Sequence, residues 1–273
     1  MEEKDLKRLH ECEMEILDEL VKFCKDNNIK YFLTGGSALG AIRHNGFIPW
    51  DDDIDIAMNR KDYEYLIKNY KDNDKFYLQC MEKDEKYWNF FAKLRMKNTL
   101  MEDEKLIGFD LPKEIYVDIF PIDNAPSGGY KKIVINANLI RIGHSALWLK
   151  HKLIKGSDCK RFKIASCFVS ILPEKKIYKY TKKIMTSYKN DKSNYVVDYL
   201  SPYPIVREYL PRSTYYDTVE HEFEDRVYMI PADADKYLAS VYGDYMTLPP
   251  VEKRVTHNIG RISFDTTKDD INK

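Results

Sequence analysis

Two aspartates spaced i and i+2, Asp53 and Asp55, lie in the stretch Asp53-Ile54-Asp55-Ile56-Ala57-Met58, where acidic and apolar residues alternate. An extended strand puts both carboxylates on one face, with Cα atoms about 6.6 Å apart, and turns the isoleucines into a core. Such an edge can hold divalent cations, which polarise a phosphoryl group and lower the pKa of an attacking hydroxyl. Oxygen-only ligands select Mg2+ or Mn2+ over zinc. A third acid of the same kind, Asp118, stands alone in Val117-Asp118-Ile119-Phe120. Its burial there is costly without a cation or hydrogen-bond partners. Catalytic and metal-binding roles are therefore expected for Asp53, Asp55 and Asp118, with a satisfied structural carboxylate as the alternative for Asp118. Asp51 and Asp52 leave two readings open, part of the site or a solvated acidic turn.

Phosphate chemistry also needs N–H donors and cations. Gly35-Gly36-Ser37 falls between a short strand-like run, Tyr31 to Thr34, and helical spacing from Ala38 to His44. Glycines at such a turn allow close backbone approach, and the helix start attracts anions. Gly35, Gly36 and Ser37 are expected to hold phosphate, with Arg43, Lys93 and Arg95 neutralising phosphate oxygens. Lys93 and Arg95 have ordinary surface charge as their alternative. His257 and Arg254, near Pro249-Pro250, are placed to fold back over a donor, and a structural role for His257 is equally open. Two familiar loops are excluded. An EF-hand beginning at Asp51 would need glycine where Ile56 stands, and a P-loop from Gly35 would need Lys-Ser/Thr where Ala41-Ile42 stands.

The elements that must position these residues follow from periodicity. Leu6, Leu9, Glu13, Leu17, Leu20 and Cys24 give helical spacing that stops at Asn27-Asn28. Residues 60 to 71 read as a helix; Phe76 to Cys80, Phe90 to Met96 and Ile115 to Phe120 read as strands; and Ala234 to Tyr242 reads as a helix. The expected fold class is α+β (α/β), a mixed sheet with flanking helices plus a basic helical region. The expected organisation is a catalytic core over residues 1–125, a basic helical region over 126–190 and a C-terminal segment, 191–273, packing back on the core.

At 273 residues, 44% apolar and 32% charged, the chain has the composition of an ordinary globular protein. The charged N-terminus argues against a secretory signal, and no apolar run is long enough to span a membrane, so a cytoplasmic location is expected. Five scattered cysteines, Cys12, Cys24, Cys80, Cys159 and Cys167, imply neither a disulfide framework nor a structural zinc site and are read as reduced and mostly buried. Residues 131–183 carry fourteen lysines and arginines against two acids, although the net charge of the whole chain is zero. Mixed with Trp148, Phe162 and the apolar run Ile164 to Leu172, this composition suits peripheral contact with an anionic membrane, the inner face of the plasma membrane for a cytoplasmic protein; helical packing with solvated lysines is the alternative. No groove-reading motif or stacking platform accompanies the charge, so no nucleic-acid partner is expected.

The segment Phe32 to Asp55, FLTGGSALGAIRHNGFIPWDDDID, closely resembles the LicD family of phosphocholine transferases. Lys93-Leu94-Arg95, Val117 to Asp123, Tyr242 to Met246, Leu248-Pro249-Pro250 and His257 extend the likeness along the chain, except for roughly residues 126 to 200. The resemblance implies a nucleotidyltransferase-like fold and transfer of phosphocholine from CDP-choline to a cell-surface glycan precursor of the lipopolysaccharide, teichoic acid or capsule kind, with release of CMP. The fukutin-related proteins look similar across the glycine turn and the aspartates and transfer ribitol phosphate, so related CDP-alcohol donors stay open. By position, Asp53 and Asp55 would hold metal, Asp118 would complete the site and assist deprotonation of the acceptor, and Gly36 with Ser37 would hold donor phosphate. Two other functions compete: transfer of NMP from an NTP with release of pyrophosphate, and a catalytically dead binding module. Retention of all three aspartates with the glycine turn weighs against the latter.

Overall fold

The computed structural model describes residues 2–104, 111–154, 172–190, 193–254, 256 and 259–266. Helix α1 (Glu3–Asn27) ends where Asn28 takes the left-handed conformation, φ 52°. Its buried stripe includes Leu9, Ile16, Leu17, Leu20 and Cys24 and packs against two central strands. Then follow β1 (Phe32–Leu33), α2 (Gly35–His44), β2 (Asp55–Asn59), α3 (Arg60–Asn69), β3 (Phe76–Gln79), β4 (Ala92–Met96), β5 (Leu100–Asp103) and β6 (Tyr116–Ala125).

These strands build a mixed sheet in the order β1-β2-β6-β4-β3, in which β2 and β6 are parallel and the other neighbours are antiparallel. The expected α+β class is observed. Parallel neighbours need a crossover, and the long excursion from β2 to β6 provides it, laying down α3, β3 and β4 on the way. Strand β6 outruns its first partners, and its last three residues pair with β7 (Tyr195–Val197), which pairs in turn with β8 (Tyr209–Pro211).

The basic stretch forms α4 (Tyr130–Ile154) and α5 (Glu174–Met185), which pack on each other through Ile133, Ala137, Ile140 and Ile177. This apolar cluster is separate from the main core and also takes in Trp88, Ala125, Val197 and Tyr199. The run Ile164 to Leu172 lies outside the described residues except for Leu172. A single-turn helix α6 (Ile205–Glu208) precedes β8, and α7 (Arg212–Tyr216) follows it. The hairpin β9 (Thr218–Phe223) and β10 (Arg226–Pro231) comes next, then α8 (Ala234–Tyr242) and β11 (Ile259–Ser263), which pairs with β5. Phe223, Tyr228, Tyr237, Leu238 and Val241 from this last part are buried in the main core. Cys24 and Cys80 are buried and Cys12 partly so, all three as free thiols; Cys159 and Cys167 lie outside the described residues.

One buried ion pair ties the crossover to the sheet. The Arg60 guanidinium, at the start of α3, donates two hydrogen bonds to Asp123 on β6, at 2.8 and 2.6 Å. Burial keeps the Asp123 carboxyl above its ordinary pKa even against the attraction of Arg60. Removing one partner strands the other without compensation, so Asp123→Ala is expected to cost about 3–5 kcal/mol. Urea unfolding should show that loss, and Arg60→Met combined with Asp123→Leu should recover much of it.

Candidate active site

Strand β1 ends at Thr34, and the chain turns into α2 through Gly35, whose φ of +56° favours glycine. A Cβ at Gly35 would stand 2.9 Å from Asp55 Oδ2, and one at Gly36 would stand 2.7 Å from Asp51 Oδ2. The first turn of α2 thus presses against carboxylates at a distance only glycine permits. Ser37 is buried beneath it, and its Oγ accepts the Asp55 N–H at 2.8 Å. From the distant α8, the Tyr237 hydroxyl accepts the Gly35 N–H at 2.9 Å and shares a 2.8 Å hydrogen bond with the Thr34 hydroxyl.

Three adjacent strands carry one row of ionisable side chains. Asp55 on β2 is the register partner of Asp118 on parallel β6, and Asp118 is the register partner of Lys93 on antiparallel β4. Register partners in a sheet project to the same face. Lys93 Nζ lies 2.7 Å from Asp118 Oδ1 and 3.2 Å from the centre of the Tyr116 ring. Burial pushes the Lys93 ammonium down to about 8, against the attraction of Asp118. The Asp55 carboxyl is held well above the usual carboxylate range, first by burial and then by Asp53, Asp118 and Asp51. Asp53 precedes the strand expected to contain it, which begins at Asp55, although the Asp118 N–H still bonds to the Ile54 carbonyl at 3.0 Å. Asp51, Asp52 and Asp53 offer oxygens within 4.8 Å of one another. Asp52 is only 2% exposed, which rules out the solvated-turn reading for that residue.

This crowding fits a divalent cation. The donors are all carboxylate oxygens, the set preferred by Mg2+ or Mn2+, and the mutual repulsion that raises Asp55 is what a bound cation would relieve.

Asp53 lies between two cavities. One, of about 210 Å³, is lined by Asp52, Lys93, Arg95, Lys113, Tyr116 and Asp118 among others. The other, of about 310 Å³, reaches from Gly35, Gly36 and Asp55 to Tyr203, Asp198 and Glu208. The structure therefore brings Gly35, Gly36, Asp53, Asp55, Lys93, Arg95 and Asp118 around one cleft, with Ser37 beneath it. Arg95 is buried, with Nε donating to Gln79 Oε1 at 2.7 Å and a terminal nitrogen donating to the Glu114 carbonyl at 2.6 Å. Arg43 lies at the opposite end of α2 from the glycine turn and donates to the Tyr245 carbonyl at 2.7 Å. The Arg254 guanidinium sits 5.1 Å from the Trp50 ring centre, and His257 lies outside the described residues.

Four residues of this region escape sequence reasoning. Glu13 sits fully buried in the apolar stripe of α1, with neither carboxylate oxygen hydrogen-bonded, and burial together with Asp53, Asp52, Asp51 and Asp55 raises it well above the usual range. A glutamate at a core position of the helical pattern was the available signal. Asp198 and Glu208 come from the stretch broken by prolines, where no periodicity marked them, and Tyr237 lies on a helix that the spacing marked without any sign that its hydroxyl reaches Gly35.

Comparison with known proteins gives this site its class. Residues 28–138 match the family described as LicD/FKTN/FKRP, nucleotidyltransferase domain. Over 262 residues the chain is 31% identical to the lipopolysaccharide cholinephosphotransferase LicD of Haemophilus influenzae, covering 90% of this chain and 93% of that protein. A shorter likeness, 50% identity over 34 residues, links it to the human ribitol 5-phosphate transferase FKRP, covering 12% of this chain and 7% of that one. The protein is homologous to a transferase, LicD, along nearly its whole length, and it belongs to the LicD family.

Asp198 and Glu208 generate a pH signature. Burial, then the neighbouring Glu208, raises the Asp198 carboxyl from 3.8 to about 8. Between those values the folded chain keeps a proton that the unfolded chain releases, so this pair's contribution to stability falls as pH rises. Asp198→Asn is expected to raise the thermal midpoint relative to wild type more at pH 8.5 than at pH 5. An equal change at both pH values would show that the carboxyl ionises as it does in water.

Proposed function

We propose that this protein catalyses metal-dependent transfer of phosphocholine, or of a similar phospho-alcohol, from a CDP-activated donor to a hydroxyl of a cell-surface glycan precursor, releasing CMP. The observation that carries this reading is the row Asp55, Asp118 and Lys93 across three strands, facing the glycine turn, in a chain homologous to LicD over nearly its full length. Asp53 and Asp55, with Asp51 and Asp52 beside them, would hold Mg2+ or Mn2+, which when bound neutralises phosphoryl oxygens and acidifies an acceptor hydroxyl.

The protein's own groups do the rest. The acceptor oxygen forms a bond to the phosphorus that bears the alcohol, the bond from that phosphorus to the bridging oxygen breaks, and CMP departs with the electron pair. Asp118 receives the acceptor's proton, and Lys93, 2.7 Å away, holds that carboxylate in its ionised form. The start of α2 receives donor phosphate, where Gly36 leaves room for close approach. Catalysis rests on positioning and charge stabilisation, as is general for phosphoryl transfer.

With purified protein, Mg2+, CDP-choline and a crude glycolipid extract, CMP release is expected to depend on metal and on extract. Asp55→Asn should lower it by about 10²–10³-fold while the thermal midpoint does not fall. Pyrophosphate released from an NTP, with no CMP from any CDP donor, would assign nucleotidyl transfer instead, and unchanged turnover in Asp55→Asn would remove the metal assignment.

The acceptor's location has its own support. Among the described residues no helix is long and apolar enough to cross a membrane. Helix α4, however, exposes Ile135, Leu139 and Ile142, spaced to share one face, with Lys131, Lys132 and Arg141 exposed on the same helix. This surface suits an anionic bilayer carrying a lipid-linked acceptor. Sedimentation with vesicles containing anionic lipid should capture the protein, and Ile142→Asp should reduce capture about threefold or more; equal capture of both forms would remove α4 from the contact.

A further inference from the structure

Asp51, Asp52 and Asp53 belong to neither a helix nor a strand, so the shape of their turn must come from contacts with other parts of the chain. At its entry the Asp51 N–H donates to the Ile48 carbonyl at 2.8 Å, and the Asp51 carboxylate lies against Gly36. The Asp51 carbonyl is taken by helix α1, where His10 Nε2 lies 2.9 Å from it. A carbonyl oxygen only accepts, so the imidazole presents an Nε2–H at that point.

His10 is itself held in place. Its ring stacks on Phe47, with centres 3.6 Å apart and planes 5° from parallel, and Phe47 meets Phe223 of β9 edge-on at 5.0 Å. The Phe47 N–H donates to Glu224 Oε1 at 3.0 Å, and the Glu224 N–H donates to the Asn45 carbonyl at 2.7 Å. The hairpin that supplies Phe223 and Glu224 is fastened to the same stripe of α1, because His10, Met14 and Asp18 follow at i, i+4 and i+8. Arg226 of β10 reaches Asp18 at 2.8 Å and Met14 Sδ at 3.0 Å, and the Tyr228 hydroxyl donates to Asp18 at 2.8 Å. One face of α1 thus docks the hairpin and grips the aspartate turn. Both α1 and the hairpin lie outside residues 28–138, which match the family's nucleotidyltransferase domain.

From this arrangement we infer that His10 is a positioning residue for the cation site, and that its hydrogen bond to the Asp51 backbone fixes the turn so that the carboxylates of Asp51, Asp52 and Asp53 converge. Their oxygens lie within 4.8 Å of one another. Mg2+ demands near-ideal geometry, with ligand oxygens at about 2.0–2.1 Å, so a turn free to shift would hold it poorly. Loss of a group that orients metal ligands costs about 10–100-fold in affinity or activity. The stack on Phe47 keeps the imidazole in line with the carbonyl, and the hairpin keeps Phe47 in place. The inference rests on the cation assignment of the proposed function, and metal binding reads it without donor or acceptor.

Two substitutions separate the two contacts of the ring. His10→Phe keeps a ring to stack on Phe47 and loses the N–H, whereas His10→Gln gives up the ring and keeps an N–H donor at similar reach. The test is calorimetric titration of the whole chain with Mn2+, alongside thermal midpoints in EDTA and CMP release from CDP-choline. His10→Phe is expected to weaken Mn2+ binding at least about tenfold, and His10→Gln to stay within about threefold of wild type, whichever of the two has the higher midpoint in EDTA. A purely structural His10 would make affinity follow the midpoint. Circular dichroism would establish that each variant is folded, and His10→Met, which also lacks the donor, decides the matter if His10→Phe is not. Wild-type affinity in His10→Phe, or equal weakening by Phe and Gln, overturns the inference. If wild type releases CMP from CDP-choline and His10→Phe binds Mn2+ normally, the transferase reading survives and this one falls. If His10→Phe weakens Mn2+, His10→Gln does not, and no CDP donor releases CMP, the reverse holds; a wild type that binds no Mn2+ overturns the cation assignment and this inference together.

Discussion

The parallel register of β2 against β6 is the constraint on which the site depends. A slip of one residue in either strand would turn its acid from the cleft into the core, because side chains alternate with a period of two. Asp55 would then part from Asp118, and an isoleucine would take its place. The register is held from the opposite face, where Ile56 and Ile119 are fully buried beside Ile54 and Val117. The apolar residues between the acids therefore fix the acids. Antiparallel β4 extends the same logic to Lys93, which reaches Asp118 only because Leu94 and Ala92 are anchored in the core on either side of it.

Electrostatics divide the cleft into two unlike halves. On the Lys93 side, three cationic side chains surround the smaller cavity; on the Tyr203 side, acids and rings surround the larger one. The acids at 51 to 55 and 118 stand between them. Folding has brought like charges together in a low dielectric, at a cost that hydrophobic burial elsewhere must offset, and Glu13 adds a further carboxyl behind the cluster. Crowding of buried carboxyl groups of this kind is typical of sites arranged for chemistry.

Much of this was legible in the sequence because the governing patterns are local. Alternation marked β2 and β6, the glycine pair marked the start of α2, and the segment Phe32 to Asp55 held most of the polar groups in one continuous stretch. Helices α1, α3 and α8 followed from their apolar spacing, although the acid at Glu13 passed for an ordinary helical position. What escaped is what long-range contact decides. The β9–β10 hairpin has no Asn-Gly or Asp-Gly signal; its turn uses Glu224 at φ 54°, stabilised where Glu224 Oε1 accepts the Phe47 N–H at 3.0 Å. Strands β7 and β8 are three residues each, too short to show a period. Asp198 and Glu208 meet only because those short strands pair, and nothing in their immediate neighbours announces it.

The hydroxyl of Tyr237 grips Thr34 and Gly35 across more than two hundred residues of chain. A protein made from its N-terminus onward therefore completes its glycine turn late. At about 5–20 residues per second, a ribosome that has placed Gly35 needs on the order of 10–40 s more to reach Tyr237. Through that interval the crowded aspartates exist without the helix that closes over them, while much of the sheet that carries them already has its sequence in hand. The cleft is thus a late product of biosynthesis, and a chain released before α8 lacks the hydroxyl that pins its glycine turn.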